Sequence, residues 1–337
     1  MGLASALYNS VRGGVSFNPA TDIPPLNGKV ILVTGGNSGL GKSAIKYLVQ
    51  KSPACIWLAS RDASRAQAAI DEIVSQVPSA STVIKPLSLD LASFASIKSA
   101  ARQVLAESDR LDILMLNAGI MATPADTTKE GYEIQFGTNH VGHALLTKLL
   151  LPLLLKTTTL QQQEQQKPDV RVVVVSSAAH RNAPACGIVF DTLRTPQTEL
   201  WAWARYGQSK LANILFAKEL ARRYPHPQLT VVAVHPGVVN SNLAGPLSEQ
   251  YRAARLAIGV AGRIFFSSTD VGAKNQLWAA TALEGVQSGE YYHPVGVTGW
   301  ASDLAVDDGL ARKLWDWTEK ELDGESILKF WILEEVG

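Results

Sequence analysis

The segment that most constrains the fold lies near the N-terminus, where an apolar run gives way to glycines. Val30, Ile31, Leu32 and Val33 are consecutive aliphatic residues, as a strand covered on both faces requires. Thr34-Gly35-Gly36-Asn37-Ser38-Gly39-Leu40-Gly41 follows, and a helical pattern runs on over about 40–51. Glycines at 35, 39 and 41 let the backbone turn tightly and approach a ligand with no side chain in the way. The free N–H groups at the start of the next helix then face that ligand. Strand, glycine loop and helix in this order predict an α/β protein with a dinucleotide pyrophosphate held at Gly35, Asn37, Ser38, Gly39, Leu40 and Gly41. The competing reading is a strand–helix turn that merely needs glycine.

The rest of the chain continues that alternation. Short apolar runs predict strands at 29–34, 54–60, 82–87, 111–116, 170–177 and 229–234, with a short seventh at 290–293. Helical patterns lie between them, including a long one at 131–156 with an irregular start and one at 203–224. A last amphipathic helix is predicted over 307–322, with Leu310, Leu314 and Trp317 on one face. The expected fold is a Rossmann-type doubly wound parallel sheet of about seven strands, helices on both faces, in one domain. That domain spans 27–337 behind an N-terminal extension over 1–26. Residues 157–169, with their run of glutamines, read as a solvated polar loop. Long connections at 180–205 and 240–268 read as substrate loops.

Composition excludes several classes. A formal net charge of +1 over 337 residues gives no basic face for nucleic acid. The two cysteines, Cys55 and Cys186, have no metal-ligand spacing, so no metal is expected. No apolar run is long enough for a membrane span, and a cytoplasmic location is expected; residues 1–15 give little to support a membrane contact.

The chemistry is carried by the ends of the strands. The second strand ends in Ser60-Arg61-Asp62. Ser60 stands where an acid would bind the ribose hydroxyls of NAD, and Arg61 offers a guanidinium to a 2′-phosphate, so NADP is expected. The alternative is an Arg61 paired with Asp62. On the 203–224 helix, Tyr206 and Lys210 are four residues apart and share a face. An ammonium near a phenol favours the phenolate, which suits proton exchange with a carbonyl oxygen. Ser176-Ser177 ends the fifth strand, Asn117-Ala118-Gly119 ends the fourth, and Pro236-Gly237 follows the sixth. Asn139 lies in the irregular helix start. Phe190, Leu193, Leu200, Trp201 and Trp203, with Leu243, Leu247, Tyr251 and Leu256, offer an apolar pocket; equally, the tryptophans pack the insert onto the body. His180, His235 and His293 are expected as satisfied structural histidines.

These motifs, in this order over 27–295, resemble the short-chain dehydrogenases/reductases. Tyr206-Gly207-Gln208-Ser209-Lys210-Leu211-Ala212-Asn213 resembles the retinol-dehydrogenase-like branch, and residues 17–24 resemble its fungal members. The resemblance implies hydride transfer between the nicotinamide of NADP and a carbonyl or alcohol of a small apolar or aromatic molecule. It implies Tyr206 as general acid or base, Lys210 lowering its pKa and bonding the nicotinamide ribose, and Ser177 orienting the substrate oxygen. Asn139 would hold a water that links Lys210 to solvent. Asp90 and Leu91 would border the adenine, and Pro236, Gly237, Val239 and Ser241 the nicotinamide. A homodimer through the helices of Asn139 and Tyr206 is a further implication. The fungal resemblance extends the expectation to a ketone or aldehyde of secondary metabolism and does not carry retinoid specificity with it. Two other readings stand beside this: an idle NADP-sensing scaffold, and a non-redox lyase or epimerase using the same Tyr–Lys pair.

Overall fold

The computed structural model describes residues 14–237 and 268–325. Seven strands form one sheet: β1 (Val30–Thr34), β2 (Cys55–Ser60), β3 (Ile84–Ser88), β4 (Ile113–Leu116), β5 (Arg171–Val175), β6 (Thr230–Val234) and β7 (Tyr291–Tyr292). Their order is β3-β2-β1-β4-β5-β6-β7, and every neighbouring pair is parallel. The order reverses at β1 and β4, so a crevice opens beyond their C-terminal ends, where such sheets bind ligands.

Seven helices of eight residues or more are described: α1 (Gly39–Val49), α2 (Ala63–Gln76), α3 (Phe94–Glu107), α4 (Gly142–Gln163), α5 (Ala202–Arg223), α6 (Thr269–Thr281) and α7 (Asp308–Glu321). Strand alternation splits the core into two layers. Val30 and Leu32 of β1 pack with residues of α3, α4, α5 and α7, while Ile31 and Val33 pack with α1, α2 and α6. Asp62 caps α2 by accepting from the Arg65 N–H, Ser93 caps α3 through Ser96, and Asp307 caps α7 through Leu310.

The glutamine-rich segment departs from the expected loop. α4 runs on to Gln163, and Thr157, Thr158 and Gln161 are buried. Gln161 donates to Asp112 Oδ1 (2.9 Å) and accepts from the Asp169 N–H (2.7 Å). Asp112, fully buried, also accepts from Val30 N and binds Arg110. One glutamine therefore satisfies a buried carboxylate and ties the starts of β4 and β5 to α4, which outweighs its polarity.

α7 lies across α4 and α5. Trp315 stacks on Phe216 with ring centroids 5.6 Å apart, Lys218 meets Asp308 at 2.7 Å, and Lys148 meets Glu319 at 3.1 Å. Among the described residues no helix is long and apolar enough to cross a membrane. Val239, Ser241, residues 240–267 of the second substrate loop and residues 1–13 lie outside the described residues.

Candidate active site

The glycine loop is built by close approaches. Gly35 has φ +67° and Gly39 φ +52°, the left-handed region that glycine enters freely. A Cβ on Gly41 would stand 2.4 Å from Gly35 O and 2.6 Å from Asn117 Nδ2, so α1 starts hard against both turns. Gly36 needs its lack of a side chain for another reason: a Cβ would meet Ile45 Cδ1 at 2.6 Å and Leu58 Cγ at 2.8 Å. Ser38 precedes α1 in extended conformation without capping it, so its side chain takes none of the helix's N-terminal N–H groups. Asn37 and Ser38 are half-buried beside it, and Leu40 is buried.

Thr34, Asn117 and Ala118 join this loop to the end of β4. Thr34 Oγ1 accepts from Asn117 N and Ala118 N, each at 2.9 Å. Its proton is then directed to His143 Nε2 at 3.0 Å, so His143 Nδ1 donates to Asn139 O at 3.0 Å. Burial holds that ring neutral, with its pKa pushed down to about 4. Asn117 Oδ1 is buried with no partner.

Asn139 sits in the π turn Gly137–Val141 that explains the irregular helix start. Its side chain is engaged by protein groups. Oδ1 accepts from Ile120 N (2.8 Å), and Nδ2 donates to Ile120 O and Ser209 Oγ (2.9 Å each). The amide clasps the chain just after Gly119, whose lack of a Cβ leaves room for Asn139 Oδ1 and Lys210 Nζ.

Ser177, Tyr206 and Lys210 converge at the C-terminal end of β5. Lys210 Nζ donates to Val175 O (3.0 Å) and lies 5.8 Å from the Tyr206 ring centroid. Burial pushes the ammonium pKa down to about 8. Tyr206 differs from the sequence expectation: burial raises its pKa to about 12, and a hydrogen bond with Ser177 is what opposes that rise. The phenol of the chain alone is thus firmly protonated. Ser177 also accepts from Ala179 N at 3.1 Å, and Ser176 Oγ donates to Lys210 O at 2.7 Å.

Arg205, one residue before Tyr206, was not legible as a site residue. It is buried, pairs with the buried Glu133 at 2.9 Å, and donates to Thr123 O at 3.0 Å. The start of α5 is thereby pinned to the segment beyond Gly119. No periodicity announced this, because the two charges lie 72 residues apart.

At the end of β2, Ser60 is buried and bonds the Asp62 backbone, while Arg61 is exposed. Asp62 is not its partner: the carboxylate holds Arg65 N, Ser64 Oγ and the Arg65 guanidinium. Asp90 accepts from Ala92 N, and Leu91 is buried with its carbonyl against Gly142. Pro236 and Gly237 are half-buried beyond β6, with Gly237 at φ +84°.

Of the insert's apolar residues, Leu193 and Phe190 pack against the core, whereas Trp201 is 64% exposed and Trp203 meets Tyr206 edge-on at 6.0 Å. His180 is satisfied, through Ser177 O (2.8 Å) and the Ser302 N–H (3.1 Å). His235 and His293 differ: each has a buried Nδ1 without a partner among the described residues. Among the described residues no cluster of His, Cys, Asp and Glu is arranged to hold a metal.

A doubly wound sheet with a glycine cradle at its switch point and a Ser–Tyr–Lys set beyond β5 defines a dinucleotide-dependent oxidoreductase class. The chain belongs to the short-chain dehydrogenase/reductase family. Residues 29–192 match the family described as short chain dehydrogenase. A short-chain dehydrogenase/reductase of Armillaria gallica is 36% identical over 88% of this chain and 91% of its own length. Retinol dehydrogenase 13 of Homo sapiens is 36% identical over 93% of this chain and 89% of its own. Among solved structures, a protein of Mycobacterium paratuberculosis superposes with a TM-score of 0.66 at 30% identity, covering 89% of this chain and 96% of that one.

Proposed function

We propose that this chain is an NADP(H)-dependent reductase of a ketone or aldehyde carried on an apolar or aromatic body. The observation that carries the reading is the convergence of Ser177, Tyr206 and Lys210 beside a backbone cradle built for a pyrophosphate. The cradle residues fit a dinucleotide. Ser38 leaves the N–H groups of α1 uncapped, the buried Asn117 Oδ1 lacks a partner, and Gly35 and Gly41 admit no side chain. Gly35, Asn37, Ser38, Gly39, Leu40 and Gly41 would hold the pyrophosphate, Asp90 and Leu91 the adenine, and Pro236 and Gly237, with Val239 and Ser241, the nicotinamide. Arg61 supports NADP over NAD, being exposed at the end of β2 with Asp62 engaged elsewhere.

When bound, the cofactor supplies the hydride. The chain supplies the proton and the position. Tyr206, protonated at neutral pH, is the general acid that donates to the carbonyl oxygen as it gains charge. Ser177 holds that oxygen by hydrogen bonding. Lys210 places a positive charge on the same face, and its ammonium persists to about pH 8. Asn139 holds the π turn and the Gly119 segment together, so that Lys210 and Tyr206 keep one geometry. Trp203, edge-on to Tyr206, and the exposed Trp201 support an apolar substrate body. α7 covers part of the face of α4 and α5, so a homodimer through those helices would include α7.

The test is a panel of aromatic ketones and apolar aldehydes followed at the NADPH absorbance. Stoichiometric loss of NADPH is expected; loss with none of the panel points to a scaffold, and conversion of a substrate without NADPH loss to a lyase or epimerase. Tyr206→Phe is expected to lower kcat by about 100-fold or more, the lower bound for a general acid, while NADPH binds as before. Full turnover in that variant overturns the mechanism.

A further inference from the structure

Three buried polar side chains in β7 and just beyond β6 and β7 have no use in the mechanism above. Tyr291 is 4% exposed, His235 6% and His293 6%. Tyr291 OH, His235 Nδ1 and His293 Nδ1 each lack a hydrogen-bond partner among the described residues. An orphaned buried polar atom is costly, so three such atoms at neighbouring strand ends mark a site that something else completes.

Their position follows from strand alternation. Val231 and Ala233 of β6 bury on the α5 side of the sheet, and Val232 and Val234 on the other. His235 continues the first series, so it falls on the α5 side. Tyr291 of β7 belongs to the same layer. The His235 and His293 rings meet with centroids 4.4 Å apart. Tyr291 lies 5.3 Å from His180, whose Nδ1 is bonded to Ser177 O at 2.8 Å. Tyr291 is therefore one ring removed from Ser177, the residue bonded to Tyr206.

The chemistry of the group is one-sided. Among the described residues, the ionisable neighbours that act on these three are Arg181, Lys210, His180 and Tyr206, together with the histidines themselves; none is a carboxylate. A phenol offers a donor, a neutral imidazole offers an N–H at Nδ1 in the tautomer that protonates it, and the nearby cations favour electron-rich oxygen. We propose that Tyr291, His235 and His293 form a second oxygen-binding subsite, which takes an acceptor oxygen of the same molecule whose carbonyl Tyr206 protonates. This rests on the reductase reading and narrows its substrate: a ketone carrying a second oxygen function, in place of a purely hydrocarbon-bodied one.

A matched pair of probes isolates that oxygen. 1-Phenyl-1,3-butanedione and butyrophenone share one skeleton and differ in a single carbonyl. Their dissociation constants are measured by calorimetry on NADPH-loaded Tyr206→Phe protein, alone and with Tyr291→Phe or His293→Gln added. The diketone is expected to bind about 10-fold tighter or better, the worth of one or two satisfied buried donors, and Tyr291→Phe or His293→Gln to erase most of that advantage. Tyr291→Phe keeps the ring, and a thermal melt of each variant checks that the fold persists. Equal binding of the two ketones, or an advantage that survives both substitutions, overturns the subsite and leaves those atoms to bound water only. The reductase reading fails separately, if the unsubstituted protein consumes NADPH with neither ketone. Preference without turnover keeps the subsite and removes the reductase; turnover without preference does the reverse.

Discussion

At the scale of single residues, the pairing of side chains decides what each is free to do. Arg61 and Arg65 follow Ser60 closely, yet only Arg65 is engaged by Asp62, at 3.4 Å. Arg61 stands exposed beyond β2. Replacing it by alanine is expected to weaken NADPH by about 10-fold or more, as loss of a charge-assisted contact implies, and NADH much less. Titration of each cofactor into both proteins checks this, and equal losses for NADPH and NADH would show that Arg61 does not read the phosphate. Ser177, Tyr206 and Lys210 were legible because their chemistry depends on residue type and strand-end position. Their electrostatics were not. A Lys four residues from a Tyr reads as a pKa-lowering neighbour, but here Lys210 is turned to Val175 O and burial of the phenol outweighs it. The unpartnered rings of His235 and His293 were invisible for the same reason: satisfaction is a property of three-dimensional neighbours.

At the scale of elements, β1, β4, β5 and β6 could be read because each is a short, mostly aliphatic run buried along its length, and no helix pattern competes at that length. What could not be read was where helices end when a distant group completes them. α4 outruns its apolar pattern because Gln161 meets Asp112, 49 residues away in the chain. The same logic of contact governs the start of α1. Gly41 opens a helix whose first turn rests on Gly35 O and Asn117 Nδ2, and the backbone carbonyl cannot yield as a flexible side chain would. Gly41→Ala is therefore expected to destabilise the protein by about 1–3 kcal/mol, the usual cost of overpacking. It should also weaken NADPH binding, since the displaced turn is the cradle itself. Urea denaturation and cofactor titration on the one variant check both; unchanged values would mean that α1 shifts freely.

At the scale of the whole molecule, the two layers of core enclose histidines that cannot be protonated in place. Burial pushes the pKa of His140 down to about 3, and those of His143, His180 and His293 to about 4, from a usual 6.5; His235 is also lowered. Each ring is neutral in the folded chain and takes up a proton near pH 6.5 once unfolded. The unfolded state therefore binds more protons below that pH, and stability falls as acidity rises. The contribution is fully present above pH 6.5 and is lost as the pH drops through about 4. Each such ring gives up on the order of 3 kcal/mol across that window, and folded domains hold only about 5–15 kcal/mol in reserve. Two or three rings account for about 6–9 kcal/mol, the lower half of that reserve, so acid destabilisation is expected between about pH 6 and 4, before carboxylate protonation dominates. The rings sit in different places: His140 against Phe136, Phe216 and Thr318, His143 between Thr34 and Asn139, His293 against His235 and Trp300. Their protonation thus strains the α7 contact, the cofactor loop and the β7 end together, and one cooperative loss is expected in place of local fraying. Thermal melts followed by circular dichroism from pH 7.5 to 4.5 measure it. A steep fall in Tm below pH 6.5 that flattens in His140→Gln and His143→Gln variants meets the expectation, and a Tm constant down to pH 4.5 contradicts it.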